Sequence, residues 1–111
     1  MKAKVINGVD EISGNCFESK IKSGVVVVDF FAEWCMPCVM MAPVIEELQE
    51  KFKGKINFAK VNVDENSSLS EKFKIMSIPC LIVFRDGKET ERIIGNLPAE
   101  TVEEKLKKYL K

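Results

Sequence analysis

The hydrophobic positions of the chain repeat with two different periods, which indicates strands alternating with helices. The segment VVVVDFFA (25–32) is continuously apolar apart from Asp29, a pattern typical of a central strand covered on both faces. From Cys35 to about Lys53 the apolar residues follow helical spacing instead, at Met41, Ile45, Leu48 and Phe52. The sequence therefore predicts a buried strand that leads directly into an amphipathic helix.

The N-terminal part predicts one more strand and one more helix. KAKVI (2–6) has the composition of a short first strand. NCFESKIKSG predicts a helix with Asn15 as its N-cap, Glu18 three residues further on, and Phe17 and Ile21 on one face.

The C-terminal part predicts three strands and two helices. INFAKVNVD predicts a strand, and Leu69 and Phe73, one turn apart, predict a short helix after it. PCLIVFRDGKETERIIG predicts a hairpin that turns at Asp86-Gly87, because this pair tolerates the positive φ angles of a tight turn. Pro98 opens a last helix whose inward-facing residues are Val102, Leu106 and Leu110. The order βαβαβαββα predicts an α/β fold with a central mixed five-stranded sheet and four helices packed on both faces.

Length, charge and hydropathy limit the possible partners. The 111 residues contain no internal repeat or linker, so a single domain spanning residues 1–111 is expected. Lys plus Arg and Asp plus Glu number 17 each, which favours neither nucleic acid nor an anionic membrane as a partner. The VVVV run is too short to span a bilayer, and MKAKVINGVDEISG lacks the apolar region of a signal peptide. The expected location is therefore the cytoplasm, where thiols usually stay reduced.

Cys35 and Cys38 stand at the junction between the buried strand and its helix. At a helix N-terminus, unpaired backbone N–H groups and the helix dipole favour an anion, and the thiolate is the reactive form of cysteine. A spacing of three residues places Cys38 one turn further on the same side, close enough for a disulfide with Cys35. The sequence predicts a reactive dithiol here.

The presence of the second thiol should contribute more to the reactivity of the dithiol than the acidity of the first thiol does. A free thiol has a pKa of about 8.5, so lowering that pKa raises the thiolate population near neutral pH by only about tenfold. A neighbouring thiol held in place makes the second reaction step intramolecular. At best, such orientation can lower the activation barrier by on the order of 7 kcal/mol or more. Zinc is the competing interpretation, but it usually needs further ligands, and the chain has no histidine and only the separate Cys16 and Cys80.

Several segments resemble the thioredoxin family in order and spacing along essentially the whole chain. They are VDFFAEWCMPC, Ala42-Pro43, KVNVDEN, SIPC and RDGKETERIIG. The resemblance implies the thioredoxin fold and an exposed attacking thiol at Cys35, with Cys38 as the buried resolving thiol. It also implies that Pro79 is a cis-proline beside the dithiol and that the backbone of Ile78 pairs with an extended substrate. A shallow apolar patch for substrates would consist of Trp34, Met36, Pro37, Ile78, Pro79 and Gly95.

Asp29 matches the buried acid of that family, with Lys60 as its neighbour. The residues alone give a compatible interpretation, because a carboxylate inside an apolar strand must be paired or protonated. Burial raises the pKa of such a group and a nearby ammonium lowers it, so that it can exchange protons near neutrality. The resulting hypothesis is that Asp29, tuned by Lys60, takes the proton of Cys38 when that thiol attacks a mixed disulfide. A purely structural aspartate is the alternative.

Two positions depart from the family pattern. Met36 stands where glycine usually follows the first cysteine, which adds apolar surface beside the thiolate. Cys80 replaces the usual threonine after the proline, and we interpret it as a small buried strand residue, with an additional regulatory thiol as the alternative. Cys16 is interpreted as a packing residue or an adventitious thiol rather than as a catalytic one.

The resemblance predicts a monomeric thiol–disulfide oxidoreductase. Its partners would be proteins that contain disulfides and a separate thioredoxin reductase. No cofactor is expected on this chain, because it contains neither a GxGxxG nor a P-loop pattern. A glutaredoxin-like or disulfide isomerase or oxidant role remains open, since CxxC spacing alone does not set the redox potential. A partner-binding module is a further alternative, because fold alone does not fix function.

Overall fold

Strand β3 (Val25–Phe31) runs through the middle of the sheet, and all seven of its residues are buried. Successive side chains of a strand point to opposite faces, and β3 accordingly contributes to two separate hydrophobic clusters. The first cluster contains Val25 and Val27, and the second contains Val26, Val28 and Phe30. The predicted central strand with both faces covered is confirmed.

The computed structural model describes residues 4–6 and 8–110. The other strands of its sheet are β1 (Lys4–Ile6), β2 (Val9–Glu11), β4 (Asn57–Asn62), β5 (Cys80–Arg85) and β6 (Lys88–Ile94). They lie in the order β1-β2-β4-β3-β5-β6. Neighbouring pairs β2–β4 and β4–β3 are parallel, and the pairs at both ends of the sheet are antiparallel. The sheet is therefore mixed, as predicted.

Within residues 4–6 and 8–110, four helices cover the two faces of this sheet: α1 (Gly14–Ile21), α2 (Met36–Lys51), α3 (Ser67–Lys72) and α4 (Ala99–Leu106). Helices α2 and α4 supply the first cluster with Met41, Ile45, Leu48, Val102 and Leu106. Helices α1 and α3 supply the second cluster with Phe17, Ile21 and Leu69. Because the two clusters lie on opposite faces of β3, the predicted α/β arrangement with helices on both faces is confirmed.

The sheet has one short strand more than the five that the sequence predicts. All five predicted strands are present, although Lys2 and Ala3 of the first lie outside the described residues. The additional strand, β2, pairs antiparallel with β1 and parallel with β4. Its three residues, VDE, include two acids and offer no apolar run, so hydrophobic periodicity gives no signal for it.

The predicted N-cap of α1 is wrong. The helix begins at Gly14 with Ser13 as its N-cap, and no side chain of that cap bonds to the helix. The N–H of Gly14 instead donates a hydrogen bond of 2.9 Å to Oδ1 of Asn66, which is distant in sequence. A tertiary contact thus satisfies the helix end that Asn15 was predicted to cap locally.

The C-terminal end differs from the prediction in its last turn. Val102 and Leu106 are buried as predicted, but the chain then tightens into a 3₁₀ turn over Lys107–Leu110. A 3₁₀ turn has three residues per turn, so the inward position shifts by one residue. Tyr109 is therefore buried and Leu110 is exposed.

The predicted hairpin turn is confirmed. Strands β5 and β6 are joined by Asp86 and Gly87, whose φ angles are +51° and +87°. Arg85 and Lys88 close the turn as register partners. Within the described residues, none of the helices combines the length and the apolar composition that crossing a lipid bilayer would require.

Candidate active site

The sheet topology brings two loops together at the carboxyl end of β3. This strand continues through a short loop to Cys35, where α2 begins. Strand β5 is antiparallel to β3, and its first residue, Cys80, is the register partner of Phe30 near the end of β3. Ile78 and Pro79, which precede β5, therefore lie at the same edge as Cys35.

Cys35 and Cys38 are joined by a disulfide, with their Cα atoms 5.2 Å apart. Cys35 is the N-cap of α2, and its Sγ accepts a hydrogen bond of 3.2 Å from the backbone N–H of Cys38. A serine or aspartate side chain usually takes this capping role. Pro37 fits the first turn because its missing N–H would have no partner in the helix. A helix N–H thus points at the sulfur on which negative charge would develop after reduction.

The greater exposure expected for Cys35 is wrong for this disulfide form. Cys35 and Cys38 are each 4% exposed. Both belong to a small hydrophobic cluster, which we call the disulfide cluster and which comprises Phe31, Ala32, Cys35 and Cys38, with Val63 and Ile78 packed against it. The bond to Cys38 and the contact with Ile78 remove from solvent a side chain that the resemblance implied to be open.

The loop before β5 contacts the disulfide through its backbone. The Ile78–Pro79 peptide bond is cis, as the resemblance implied. The carbonyl oxygen of Ile78 lies 3.9 Å from Sγ of Cys35. The carbonyl of Pro79 accepts a hydrogen bond of 2.9 Å from the N–H of Gly95, which has a φ of +97° and directly follows β6. Gly95 is thereby bonded to the loop that contacts the disulfide.

The six residues of the predicted apolar patch differ in exposure. Trp34, Met36 and Pro37 are exposed and surround Cys35 in sequence, whereas Ile78 and Gly95 are half-buried and Pro79 is buried. The contacts among Ile78, Pro79 and Gly95 place this second group beside the disulfide. The structure therefore brings the predicted residues to one edge of the sheet, although Pro79 offers little surface.

Asp64 is a site residue that the sequence analysis missed. Its Oδ2 accepts a hydrogen bond of 2.8 Å from the indole Nε1 of Trp34. The backbone N–H of Asp64 donates to Oδ1 of the buried Asn62 at 2.9 Å, which fixes the turn after β4. The available signal was the polar segment after β4, since Asn and Asp side chains commonly bond to nearby backbone in turns. The sequence alone does not show that this turn meets Trp34.

Asp29 is buried, and its Oδ1 has no hydrogen-bond partner within the described residues. Burial raises the pKa of its carboxyl from the ordinary value of 3.8 to about 7, although the Lys60 ammonium opposes the shift. Asp29 and Lys60 are register partners on β3 and β4, and Lys60 is also buried. The Lys60 ammonium lies 4.5 Å from the centroid of the Phe31 ring, which provides a cation–π contact.

Cys38 and Lys60 line the same surface cavity, which has a volume of about 350 Å³. Phe31, Glu33 and Glu46 are also among its lining residues. The cavity places the second cysteine and the cation that acts on Asp29 around one shared space. The charged side chains on the lining of this cavity are Glu33, Glu46 and Lys60, and the remaining lining is mostly apolar.

The two remaining cysteines lie in the second hydrophobic cluster. Cys80 is buried there, which confirms its interpretation as a small strand residue, and Cys16 packs partly buried against it. Burial raises the pKa of the Cys80 thiol, and the nearby Arg92 opposes that shift. Among the described residues, no three Cys, Asp or Glu side chains come together as a metal site would require.

The fold and the site define a class of protein. A disulfide between residues three apart begins a helix after a buried strand, a cis-proline loop contacts it, and a buried carboxyl lies within that same strand. This combination is that of a thiol–disulfide oxidoreductase.

Comparison with known proteins identifies the family. The profile described as Thioredoxin matches residues 8–108. Thioredoxins of Staphylococcus aureus strains Mu50, MW2 and N315 are each 50% identical to this chain over 94 residues, which cover 85% of the chain and 90% of each relative. The chain belongs to the thioredoxin family. The glutaredoxin-like, isomerase or oxidant, and partner-binding alternatives receive no support from these comparisons.

Proposed function

We propose that this protein reduces disulfides of other proteins through Cys35 and Cys38, and that a separate thioredoxin reductase restores its dithiol. The observation that carries the proposal is the disulfide at the N-terminus of α2, with the N–H of Cys38 directed at Sγ of Cys35. In this reaction the disulfide form described above is the product state. The dithiol form is the reactant.

The first step is nucleophilic attack by Cys35. Its thiolate, favoured by the α2 N-terminus and the Cys38 N–H, forms a bond with one sulfur of the substrate disulfide. The substrate S–S bond breaks, and its other sulfur leaves as a thiolate that takes a proton from solvent. A mixed disulfide between Cys35 and the substrate results.

The second step is resolution by Cys38. As the Cys38 thiol attacks Sγ of Cys35, its proton passes to Asp29, whose register partner Lys60 lines the same cavity as Cys38. A pKa of about 7 makes Asp29 able to accept a proton near neutral pH. The mixed disulfide breaks, the second substrate sulfur leaves as a thiolate that takes a proton from solvent, and two electrons in total have moved to the substrate. Lys60 tunes this acceptor, because its ammonium favours the ionised carboxylate.

Substrates bind at the patch around the disulfide. The exposed side chains of Trp34, Met36 and Pro37 supply apolar contacts, and Asp64 orients the Trp34 indole. The backbone of Ile78 pairs with an extended segment of the substrate. Pro79 and Gly95 support that segment through the hydrogen bond that joins their loops.

The reductase supplies the electrons for each cycle. The sequence contains no dinucleotide or phosphate-binding pattern, so flavin and nicotinamide belong to that partner. We further propose that the protein acts as a monomer in the cytoplasm, where a reductase can keep Cys35 and Cys38 reduced.

Trapping the mixed disulfide tests the two cysteine roles. Reduced Cys38→Ser protein incubated with insulin should accumulate a covalent adduct through Cys35, because no resolving thiol remains. Cys35→Ser protein is the matched control and should form far less adduct. Equal trapping by the two variants, or adduct formed only through Cys38, would contradict the assigned roles. Full insulin reduction by the Cys35→Ser, Cys38→Ser double variant would contradict the proposed function itself.

A further inference from the structure

The methionine thioethers of the described residues fall into two groups by exposure. Met36, Met40 and Met76 are 65%, 58% and 92% exposed, whereas Met41 is 0% exposed. Met40 and Met41 are adjacent on α2, so the helix presents one thioether to solvent and buries the next in the first hydrophobic cluster. The buried Met41 can therefore serve as an internal control for reactions that require an exposed thioether.

The disulfide form changes which sulfur atoms can react with an oxidant. Cys35 and Cys38 are bonded to each other and offer no thiolate. Cys80 is buried, and burial raises the pKa of its thiol, which keeps it protonated. Once the active site is oxidised, the sulfur atoms that a hydroperoxide can meet are consequently the exposed thioethers, together with the half-buried thiol of Cys16.

We propose that Met36 is a modification site, oxidised to methionine sulfoxide by hydroperoxides in the disulfide form, and that this change weakens docking of protein substrates. In the reaction the thioether sulfur attacks one peroxide oxygen and the O–O bond breaks. An S=O bond forms, the second oxygen leaves as water with hydrogen peroxide as oxidant, and the sulfur loses two electrons. The dithiol form differs because its thiolate competes for the same oxidant.

Among the three exposed methionines, Met36 is the one whose oxidation should affect substrate docking, because of its position. It is the first residue of α2 and lies between Cys35 and Pro37, inside the apolar patch. Its sulfoxide carries a strong hydrogen-bond acceptor, which water satisfies in the free protein and which a docked apolar surface leaves without a partner. This consequence rests on the proposed function, because it requires that protein substrates cover the patch.

Mass mapping tests the modification directly. The disulfide form is treated with hydrogen peroxide, quenched, digested and analysed for sulfoxide at each methionine. We expect Met36, Met40 and Met76 to be oxidised at least tenfold faster than Met41. Met36 oxidised as slowly as Met41 would overturn the modification site, whatever the activity of the protein.

Activity after reduction of the disulfide tests the consequence. Treated protein should reduce insulin roughly fivefold more slowly than untreated protein, while reduction of the small disulfide 5,5′-dithiobis(2-nitrobenzoate) changes less than twofold. The Met40→Leu, Met76→Leu double variant keeps Met36 and should keep this sensitivity. In Met36→Leu the ratio of treated to untreated insulin reduction should be close to one, whatever its starting activity.

Three results would contradict the inference. Sensitivity that persists in Met36→Leu, or equal slowing of insulin and the small disulfide, would overturn the docking effect. Untreated protein that does not reduce insulin would overturn the proposed function and the docking effect together. In that case the sulfoxide map still decides whether Met36 is the modification site.

Discussion

Trp34 and Asp64 are joined by a hydrogen bond of 2.8 Å between the indole Nε1 and the carboxylate Oδ2. Trp34 is otherwise largely in solvent, at 72% exposure, so this bond is a main constraint on the orientation of its ring. Asp64 comes from the turn after β4, and Trp34 comes from the loop after β3. The parallel pairing of β3 and β4 brings their carboxyl ends to one edge of the sheet and allows the two residues to meet.

Asp64→Asn should lower the kcat/KM for insulin reduction by roughly two- to tenfold, because the ring loses a charge-assisted hydrogen bond. Trp34 is the single tryptophan of the chain, so its fluorescence anisotropy reports the freed ring directly. Glu65→Gln, at the adjacent exposed position, is the matched control and should alter neither property. An unchanged anisotropy in Asp64→Asn would show that the bond does not hold the ring.

Asp29→Asn should slow insulin reduction near pH 7 by at least about tenfold, because Cys38 loses its proton acceptor. In the unmodified protein the rate of the resolving step should rise with pH through about 7, as the Asp29 carboxyl ionises. Rates measured from pH 5 to 9 should show this inflection, and the variant should lack it. Unchanged turnover in Asp29→Asn would contradict the role as proton acceptor.

The same substitution should stabilise the folded protein at neutral and higher pH. The Asp29 pKa is about 7 in the folded protein and 3.8 ordinarily, so the folded form binds its proton more tightly. The free energy of unfolding therefore falls as pH rises between these values, by at most about 4 kcal/mol. Asp29→Asn has no carboxyl to ionise, so its free energy of unfolding should not fall in this way. The variant should therefore exceed the unmodified protein in stability most at pH 8 and only slightly at pH 4.

Urea unfolding of the disulfide form at both pH values measures this difference. Glu47→Gln, an exposed carboxylate on α2, is the control and should change the stability little at either pH. A stabilisation of Asp29→Asn that is equal at pH 4 and pH 8 would mean that ionisation of this carboxyl is not the cause.

The four cysteines of the reduced protein should react with iodoacetamide at different rates. Cys35 should react first, because the N-terminus of α2 favours its thiolate, and Cys80 at least about tenfold more slowly, because burial raises the pKa of its thiol. Cys16, which is half-buried, should also react more slowly than Cys35. Mass mapping over time measures these rates, and protein unfolded in urea should show nearly equal ones. Cys80 that reacts as fast as Cys35 would contradict its burial.

Gly95→Ala should destabilise the fold by about 1–2 kcal/mol, because the Cβ atom of an alanine makes a positive φ angle sterically unfavourable by that amount. The φ of Gly95 is +97°, and no atom lies within 4 Å of the added methyl, so strain is the expected cause. Gly24→Ala is a matched control, with a φ of +72° and equally open space far from the disulfide. Both should lose similar stability in urea, whereas only Gly95→Ala should slow insulin reduction. Equal activity of the two variants would argue against a role for Gly95 in substrate binding.

The sequence predicts those features that depend on local pattern or on a short motif. The apolar run of β3 indicated burial on both faces, and Asp86-Gly87 indicated the hairpin, because each signal lies within a few residues. The position of Cys35 at a helix start followed in the same way. The buried setting of Asp29 followed from its isolation among apolar residues.

Features set by tertiary contact were not predictable from the same patterns. The cap of α1 comes from Asn66, far along the chain, and Asp64 reaches Trp34 only because β3 and β4 are neighbours. The burial of Tyr109 depends on a final turn that tightens after α4. Propensity describes a residue and its near neighbours, whereas these three outcomes depend on which elements the fold brings together.

The disulfide cluster around Phe31, Ala32, Cys35 and Cys38 is separate from both large cores. Making or breaking the sulfur bond should therefore change the packing of this small cluster and leave the packing of the two larger hydrophobic clusters in place. We therefore expect the scaffold to keep its shape between the oxidised and the reduced molecule, since the redox chemistry and the stability of the fold depend on different parts of the same chain.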